Sequence, residues 1–340
     1  SKLINNFRAD SEIQKEMLAI LAAVTEIIKE RGGSESSTEY FLALMETIEN
    51  AKEDSDIQAA VMLLNMGIKS VPQPVLRKKF NETAGVFLEL ITRFVDATDK
   101  NVLRSIISCL SVVLRAQEYS EWKLSSSMKF FDVILSFTIH TKPKVRKAAQ
   151  HAVTSVLFGS CFMLPPKQDD EEMQVEPPKI IHPAATRVAK FCVDQFKPEI
   201  INNNQTLLLH VLGLLQTALP SFNKEDIKSI SEHLLSIMTS GGNIMVRTSC
   251  FQTFHALFNS KSQNLTSQLV GRLVSALYEY RPDRSDFRQV LAWITVMKQA
   301  HIKLAELGPT VCIQALPRFF ETCIGDLWLS DKLEVVNGTS

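Results

Sequence analysis

Four short stretches of this chain share one pattern, an apolar residue followed by arginine close to a helix start. They are Leu103-Arg104 in "KNVLRSIISCL", Val145-Arg146 in "KPKVRKAAQH", Val246-Arg247 in "NIMVRTSCFQTF" and Phe287-Arg288 in "SDFRQVLAW". Arg104 and Arg146 are 42 residues apart, and Arg247 and Arg288 are 41 apart. Arg146 and Arg247 are separated by 101, an interval that leaves room for one further helix pair centred near Gln205 and for a linker. Counting backwards, Ile57-Gln58 lies 46 before Arg104, and Ile13-Gln14 lies 44 before that. Counting forwards, Leu333-Glu334 lies 46 after Arg288. A fixed beat of this length restricts the chain to stacked repeats, each burying its apolar face against the next.

The segments between beats read as helices. Apolar residues recur at i, i+3, i+4 and i+7, breaks fall at Gly, Pro and Asn, and no alternating pattern suggests strands. The apolar fraction is 45%, while Gly and Pro number only 12 and 13, which favours helices over a turn-rich β protein. The expected architecture is therefore all-α: one right-handed α-solenoid of HEAT/armadillo-like helical repeats over residues 1–340, with roughly seven helix pairs. Segments such as 74–97, 120–141 and 183–197 read as single helices. Arginines at this place in such repeats usually bond an acid or a carbonyl of a neighbouring repeat, so Arg104, Arg146, Arg247 and Arg288 are expected to be structural.

"PPKQDDEEMQVEPPKIIHP", residues 165–183, breaks the beat. Two Pro-Pro pairs and four consecutive acids make it an inserted, loosely held loop rather than a domain boundary. The chain lacks an initiator Met and ends in what reads as a further helix start, so a piece of a longer protein is expected. No apolar run approaches the roughly 20 residues needed to span a bilayer. The six cysteines are scattered without Cys-x-x-Cys spacing, as buried free thiols would be. No phosphate-binding glycine loop, nucleophile elbow or metal-ligand spacing appears, so no enzyme activity, cofactor, metal or small-molecule substrate is expected.

Charge is balanced overall, 37 Lys plus Arg against 37 Asp plus Glu, but it is segregated. Residues 1–68 hold 6 basic and 12 acidic residues, whereas residues 69–150 hold 14 and 7. "HTKPKVRKAAQH", residues 140–151, closes the basic region. Thr141 can cap a helix that starts at Pro143, and Val145, Ala148, Ala149, Ala152, Val153 and Val156 form its apolar stripe. Lys144 and Lys147 fall opposite that stripe and Arg146 on its flank. A helix N-terminus is the wrong end for cations. Lys142, Lys144 and Lys147 are therefore candidates for contact with RNA phosphate or an acidic partner, joined by Arg77, Lys78 and Lys79 if stacking brings them onto one face. Two plainer readings stand beside this one: a solvated face, or pairing with Asp169 to Glu172 folded back over the helix.

"FTIHTKPKVRKAAQHAV" (137–153) resembles the central signature of the ribosomal-RNA-processing protein twelve family of HEAT-repeat proteins. So do "ILAAVTEIIKERGG" with "TEYFLALM" (20–45), "HPAATRVAKFCV" (182–193), "LAWITVMKQAHIKL" (291–304) and "LPRFFET" (316–322). The similarity runs in order over essentially the whole chain and places it in the N-terminal HEAT portion. The resemblance implies a non-enzymatic scaffold or assembly factor of small-subunit pre-ribosomal particles, located in the nucleolus and nucleus and able to shuttle to the cytoplasm. Its partners would be pre-ribosomal proteins, pre-rRNA and the nuclear export machinery. A solenoid that grips protein segments without touching RNA, like a transport receptor or adaptor, is the alternative.

Overall fold

A computed structural model of the chain describes residues 12–164, 180–240, 243–283 and 285–323. Among the described residues the regular structure is helical throughout, with sixteen α-helices and several short 3-10 turns. The chain divides into two compact units, Ser1–Pro178 and Lys179–Ser340.

In the first unit, α1 (Glu12–Glu30), α3 (Asp54–Gly67), α6 (Asn101–Arg115) and α8 (Pro143–Gly159) stack side by side. α2 (Ser37–Asn50), α5 (Phe80–Phe94) and α7 (Ser125–Ser136) cover the other side of this layer, and α4 (Gln73–Lys78) is a short helix before α5. The beat thus marks one layer: Ile13, Ile57, Leu103 and Val145 each stand in the opening turns of its four helices. In the second unit the corresponding layer is α11 (Gln205–Ala218), α13 (Ile244–Asn259) and α15 (Phe287–Leu307), carrying Val246 and Phe287. α9 (Ala185–Asp194), α12 (Lys224–Thr239) and α14 (Ser267–Glu279) form the facing row. α10 (Pro198–Asn203) packs on α11, and α16 (Pro309–Phe320) on α15.

The local chemistry explains several boundaries. α1 ends at "RGG", where Gly32 has a φ of 73°, a left-handed conformation natural to glycine. α2 begins with a capping box, in which the Ser36 side chain accepts from the Glu39 amide and Glu39 reaches back to the Ser36 amide. α6 is the most enclosed helix of its layer: Leu103, Ile106, Ile107, Leu110, Val113 and Leu114 are all fully buried. Each such side chain contributes about 1.5–3 kcal/mol on burial.

The repeat length also appears in the side-chain bonds that join neighbouring repeats. Arg115 Nε donates to the Gly159 carbonyl at 2.9 Å, 44 residues away. Arg77 Nε donates to the Ala116 carbonyl at 2.6 Å, 39 residues away. Asn264 donates to the Phe222 carbonyl (2.8 Å, 42 residues) and Gln289 to Thr248 (2.6 Å, 41 residues). Three successive repeats meet at Ala116. The Cys161 thiol, beyond the end of α8, donates to the carbonyls of Ala116 (3.5 Å) and Gln117 (3.2 Å), and Arg77 Nη2 lies 3.5 Å from its sulfur.

Several expectations need correction. Segment 74–97 is two helices, because Lys79 adopts φ −96° and ψ 9° and breaks the run without Gly or Pro. Segment 120–141 contains α7 flanked by 3-10 turns at 121–123 and 137–139. α10 was not foreseen, although Pro198 at its first position and the Asn run at 202–204 mark its start and stop. Residues 165–179 of the inserted loop, the acids Asp169 to Glu172 among them, and the beat at Leu333 lie outside the described residues. His182, at the loop's far end, is buried at 1% exposure and belongs to the second unit's core. Cys161 is half-buried, whereas the other five thiols are buried.

Candidate nucleic-acid interface

The start of α8 differs from expectation in one detail that shapes the basic cluster. The N-cap is Lys142, not Thr141, and it makes no side-chain capping bond. Pro143 at the first helical position forces the preceding residue into an extended conformation, φ −76° and ψ 119°, so Thr141 lies one residue too early. His140 does the local work instead. The Lys142 amide donates to its Nδ1 at 3.0 Å, and its ring stacks on Phe137. Burial lowers the His140 pKa, and the cations Lys100, Arg146 and Lys142 lower it further, so the ring stays neutral and can accept.

Lys142, Lys144 and Lys147 are exposed and Arg146 is half-buried. Arg146 Nη1 donates to the carbonyls of His140 (2.9 Å) and Thr141 (3.2 Å), tying the turn to the first coil of α8. Two of the other beat arginines also act locally. Arg104 bonds Asn101 Oδ1 at 3.2 Å, one turn back, and the Arg288 guanidinium lies 5.9 Å from the adjacent Phe287 ring. Arg247 bonds the side chain of Tyr280, which caps the end of α14, and its Nε is buried without a partner. The bonds between repeats fall instead to Arg77, Arg93, Arg115 and several Asn and Gln side chains. These longer-reaching donors sit near helix ends, where the neighbouring carbonyls are free.

The six candidate cations do not form one face. Lys100 and His140 adjoin at the starts of α6 and α8, and Arg115 and Gly159 adjoin at their ends, so the two helices run parallel. Lys142, Lys144 and Lys147 stand at the starting end. Arg77 is held at the finishing end by Ala116, Glu118 and Cys161, roughly 25 Å away along a 17-residue helix. Lys79 pairs with Glu82 at 2.8 Å, and Lys78 is exposed. Arg77 is thus a bridge between repeats rather than part of a ligand-facing cluster.

A feature not foreseen lies on the exposed face of the α3–α6–α8 layer. A furrow of about 350 Å³ is lined by Asn65 and Lys69 from α3 and the turn after it, by Arg104, Ser108 and Arg115 from α6, and by His151 from α8. Its signal in the sequence was the polar stripe Asn101, Arg104, Ser108 and Arg115 on an otherwise apolar helix. Elsewhere among the described residues, no group of three or more His, Cys, Asp or Glu could hold a metal ion, and no helix is long and apolar enough to cross a membrane.

Comparison with known proteins gives a consistent result. The sequence profile described as "RRP12-like, N-terminal HEAT repeats" matches residues 2–265. An "RRP12-like protein" of Drosophila melanogaster is 56% identical over all of this chain, and one of Homo sapiens is 39% identical over 95% of it. The "Ribosomal RNA-processing protein 12" of Saccharomyces cerevisiae is 24% identical over 94%. The chain spans 25%, 24% and 28% of the lengths of these three relatives, about a quarter in each case.

Proposed function

Because this chain belongs to the RRP12-like family and corresponds to its N-terminal HEAT repeats, we propose that it acts in ribosomal RNA processing as a non-enzymatic scaffold. The observation that carries this reading is similarity along the whole chain to an RRP12-like protein, together with similarity over 94% of it to a yeast relative whose name states ribosomal RNA processing. The fold supports it, since a layered helical array offers long surfaces rather than an enclosed reaction site. In this reading the chain works within small-subunit pre-ribosomal particles, in the nucleolus and nucleus. It contacts pre-rRNA and particle proteins, and it contributes to export of the particles through the export machinery and so to their passage into the cytoplasm. Residues 1–340 act as one repeat array with an inserted acidic segment. Lys142, Lys144 and Lys147 are the contact points at the start of α8, where no described acid forms an ion pair with them.

The test expresses the full-length protein carrying this chain, epitope-tagged, with and without charge reversal of Lys142, Lys144 and Lys147 to Glu. The unaltered protein should co-sediment with pre-ribosomal particles, and the reversed one should shift toward the free fraction. Sedimentation of the unaltered protein only as free material would overturn the scaffold reading. Equal incorporation of both forms, with equal melting temperatures, would remove the three lysines from the interface.

One observation favours the adaptor alternative. An apolar cleft of about 440 Å³, lined by Leu21, Tyr40, Phe41, Leu44, Met66 and Val71, lies among α1, α2 and α3 in the acidic part of the chain. A protein segment seated there would bind with little dependence on salt, unlike phosphate contacts, which release counterions.

A further inference from the structure

We infer that the furrow across α3, α6 and α8 is a binding track for the sugar-phosphate backbone of single-stranded RNA. The inference rests on the RNA-processing reading above and extends it to a site apart from the three lysines.

The chemistry of the lining argues for a polyanion. Three cations border the furrow, Lys69, Arg104 and Arg115, and no Asp or Glu is among the described residues that line it. The nearest acid at the start of α6, Asp99, is occupied with the amide and side chain of Asn101. Arg104 and Arg115 lie 11 positions apart on one helix, roughly 16 Å along its axis. Between them the lining mixes hydroxyls with small apolar groups: Ser108 on α6 and Ser155 on α8 are half-buried, Ser105 and Ser111 are buried, and Met62 and Val112 add apolar surface. Small side chains there are what leave the furrow open between large residues at its two ends. Lys144 stands one turn before Ala148 on the stripe of α8 that lines the furrow, so the cationic surface continues past its open end.

Two features select RNA backbone over other anions. Serine and asparagine both donate and accept, which suits alternating phosphates and sugar hydroxyls, whereas a carboxylate-rich peptide offers side chains that only accept. No Phe, Tyr or Trp side chain lines the furrow and His151 is its one ring, so most bases have nothing to stack on and should face outward. Binding should therefore be indifferent to base sequence.

The test measures fluorescence anisotropy of a labelled 12-nucleotide oligouridine against the 340-residue chain over a salt series. Lys69 and Arg104 are both exposed, and neither forms one of the bonds that join repeats described above. The double variant K69E/R104E should raise the Kd at least tenfold and reduce the log–log salt slope by about 1.4, or 0.7 per lost contact. R104Q alone should reduce it by about half as much, again with normal melting. K228E/K261E, exposed positions in the second unit, should change neither quantity. Oligocytidine should bind within a few-fold of oligouridine. An unchanged salt slope in a K69E/R104E chain that melts normally overturns the inference. So does a large preference between the two oligonucleotides, or K69E/R104E weakening a polyglutamate peptide while leaving RNA binding intact. Because particle incorporation is scored separately, a chain that co-sediments normally but fails these measurements refutes the furrow and leaves the scaffold standing.

Discussion

Acidification should loosen the second unit through one residue, His182. Its ring is buried at 1% exposure, and the Ala184 amide donates to its Nδ1 at 3.1 Å, fastening the start of α9. Burial pushes its pKa down from 6.5 to about 3. The unfolded chain therefore takes up a proton near pH 6.5 that the folded chain refuses until about pH 3. The stability contributed by the neutral ring is complete above pH 6.5 and declines as pH falls toward 3. Linkage between those two values gives a loss of about 2 kcal/mol between pH 7.5 and pH 5. For a unit of this size that lowers the melting temperature by roughly 4–8 °C. His301, whose pKa is also lowered chiefly by burial, adds to the trend in the second unit, and His140 acts in the same direction in the first. The assay is calorimetric melting at pH 7.5 and pH 5.0 of the unaltered chain and of H182N, whose amide oxygen can still accept from Ala184 but does not titrate. The variant should lose less stability on acidification by about 2 kcal/mol. Identical pH dependence in the two chains would show that His182 titrates normally in the folded state, and the argument from burial would fail.

Other expectations are simpler to state. Arg77→Ala removes the bonds to Ala116 and Glu118 and should cost about 1–3 kcal/mol in urea unfolding, whereas Lys78→Ala should stay within about 0.5 kcal/mol. Arg146→Ala frees the carbonyls of His140 and Thr141 and should cost about 1–2 kcal/mol, while Lys144→Ala and Lys147→Ala should each shift melting little; three equal shifts would contradict this division of roles. Gly308→Ala would place a Cβ 2.8 Å from that of Ser267, so it should destabilise the second unit by about 1–3 kcal/mol, and neutral melting would mean that α16 can move away without loss.

The helical repeat was legible because its signal is redundant. Ile57, Leu103, Val145, Val246 and Phe287 keep one beat, and all occupy the same turn of helices in one layer of their unit. What failed was local or depended on stacking. The break at Lys79 carries no Gly or Pro, so no side chain announced it. The cap at Thr141 was misplaced because the effect of Pro143 on Lys142 outweighed capping preference. The proposed grouping of Arg77 with the lysines failed because sequence shows which face of a helix a residue occupies, not which end of a neighbouring helix it reaches. The furrow has the same origin. Its α6 stripe was visible in the sequence, but the alignment of Lys69 and His151 with that stripe follows only from how three helices stack.

The meeting of three repeats at the Ala116 carbonyl makes Cys161 a natural clock for the first unit. Its thiol is half-buried and engaged with two carbonyls, so an alkylating reagent can attach only as often as that junction parts. Burial holds the thiols of Cys109 and Cys192 protonated and raises that of Cys250 to about 12, which makes them slow by comparison. The fast phase of labelling in the native chain thus times the breathing of one joint. Once attached, the adduct displaces the thiol from the carbonyls of Ala116 and Gln117, just beyond the ends of α6 and α8, and acts as a wedge. A probe chosen to observe the junction would, in reporting, also prise apart the three repeats it joins.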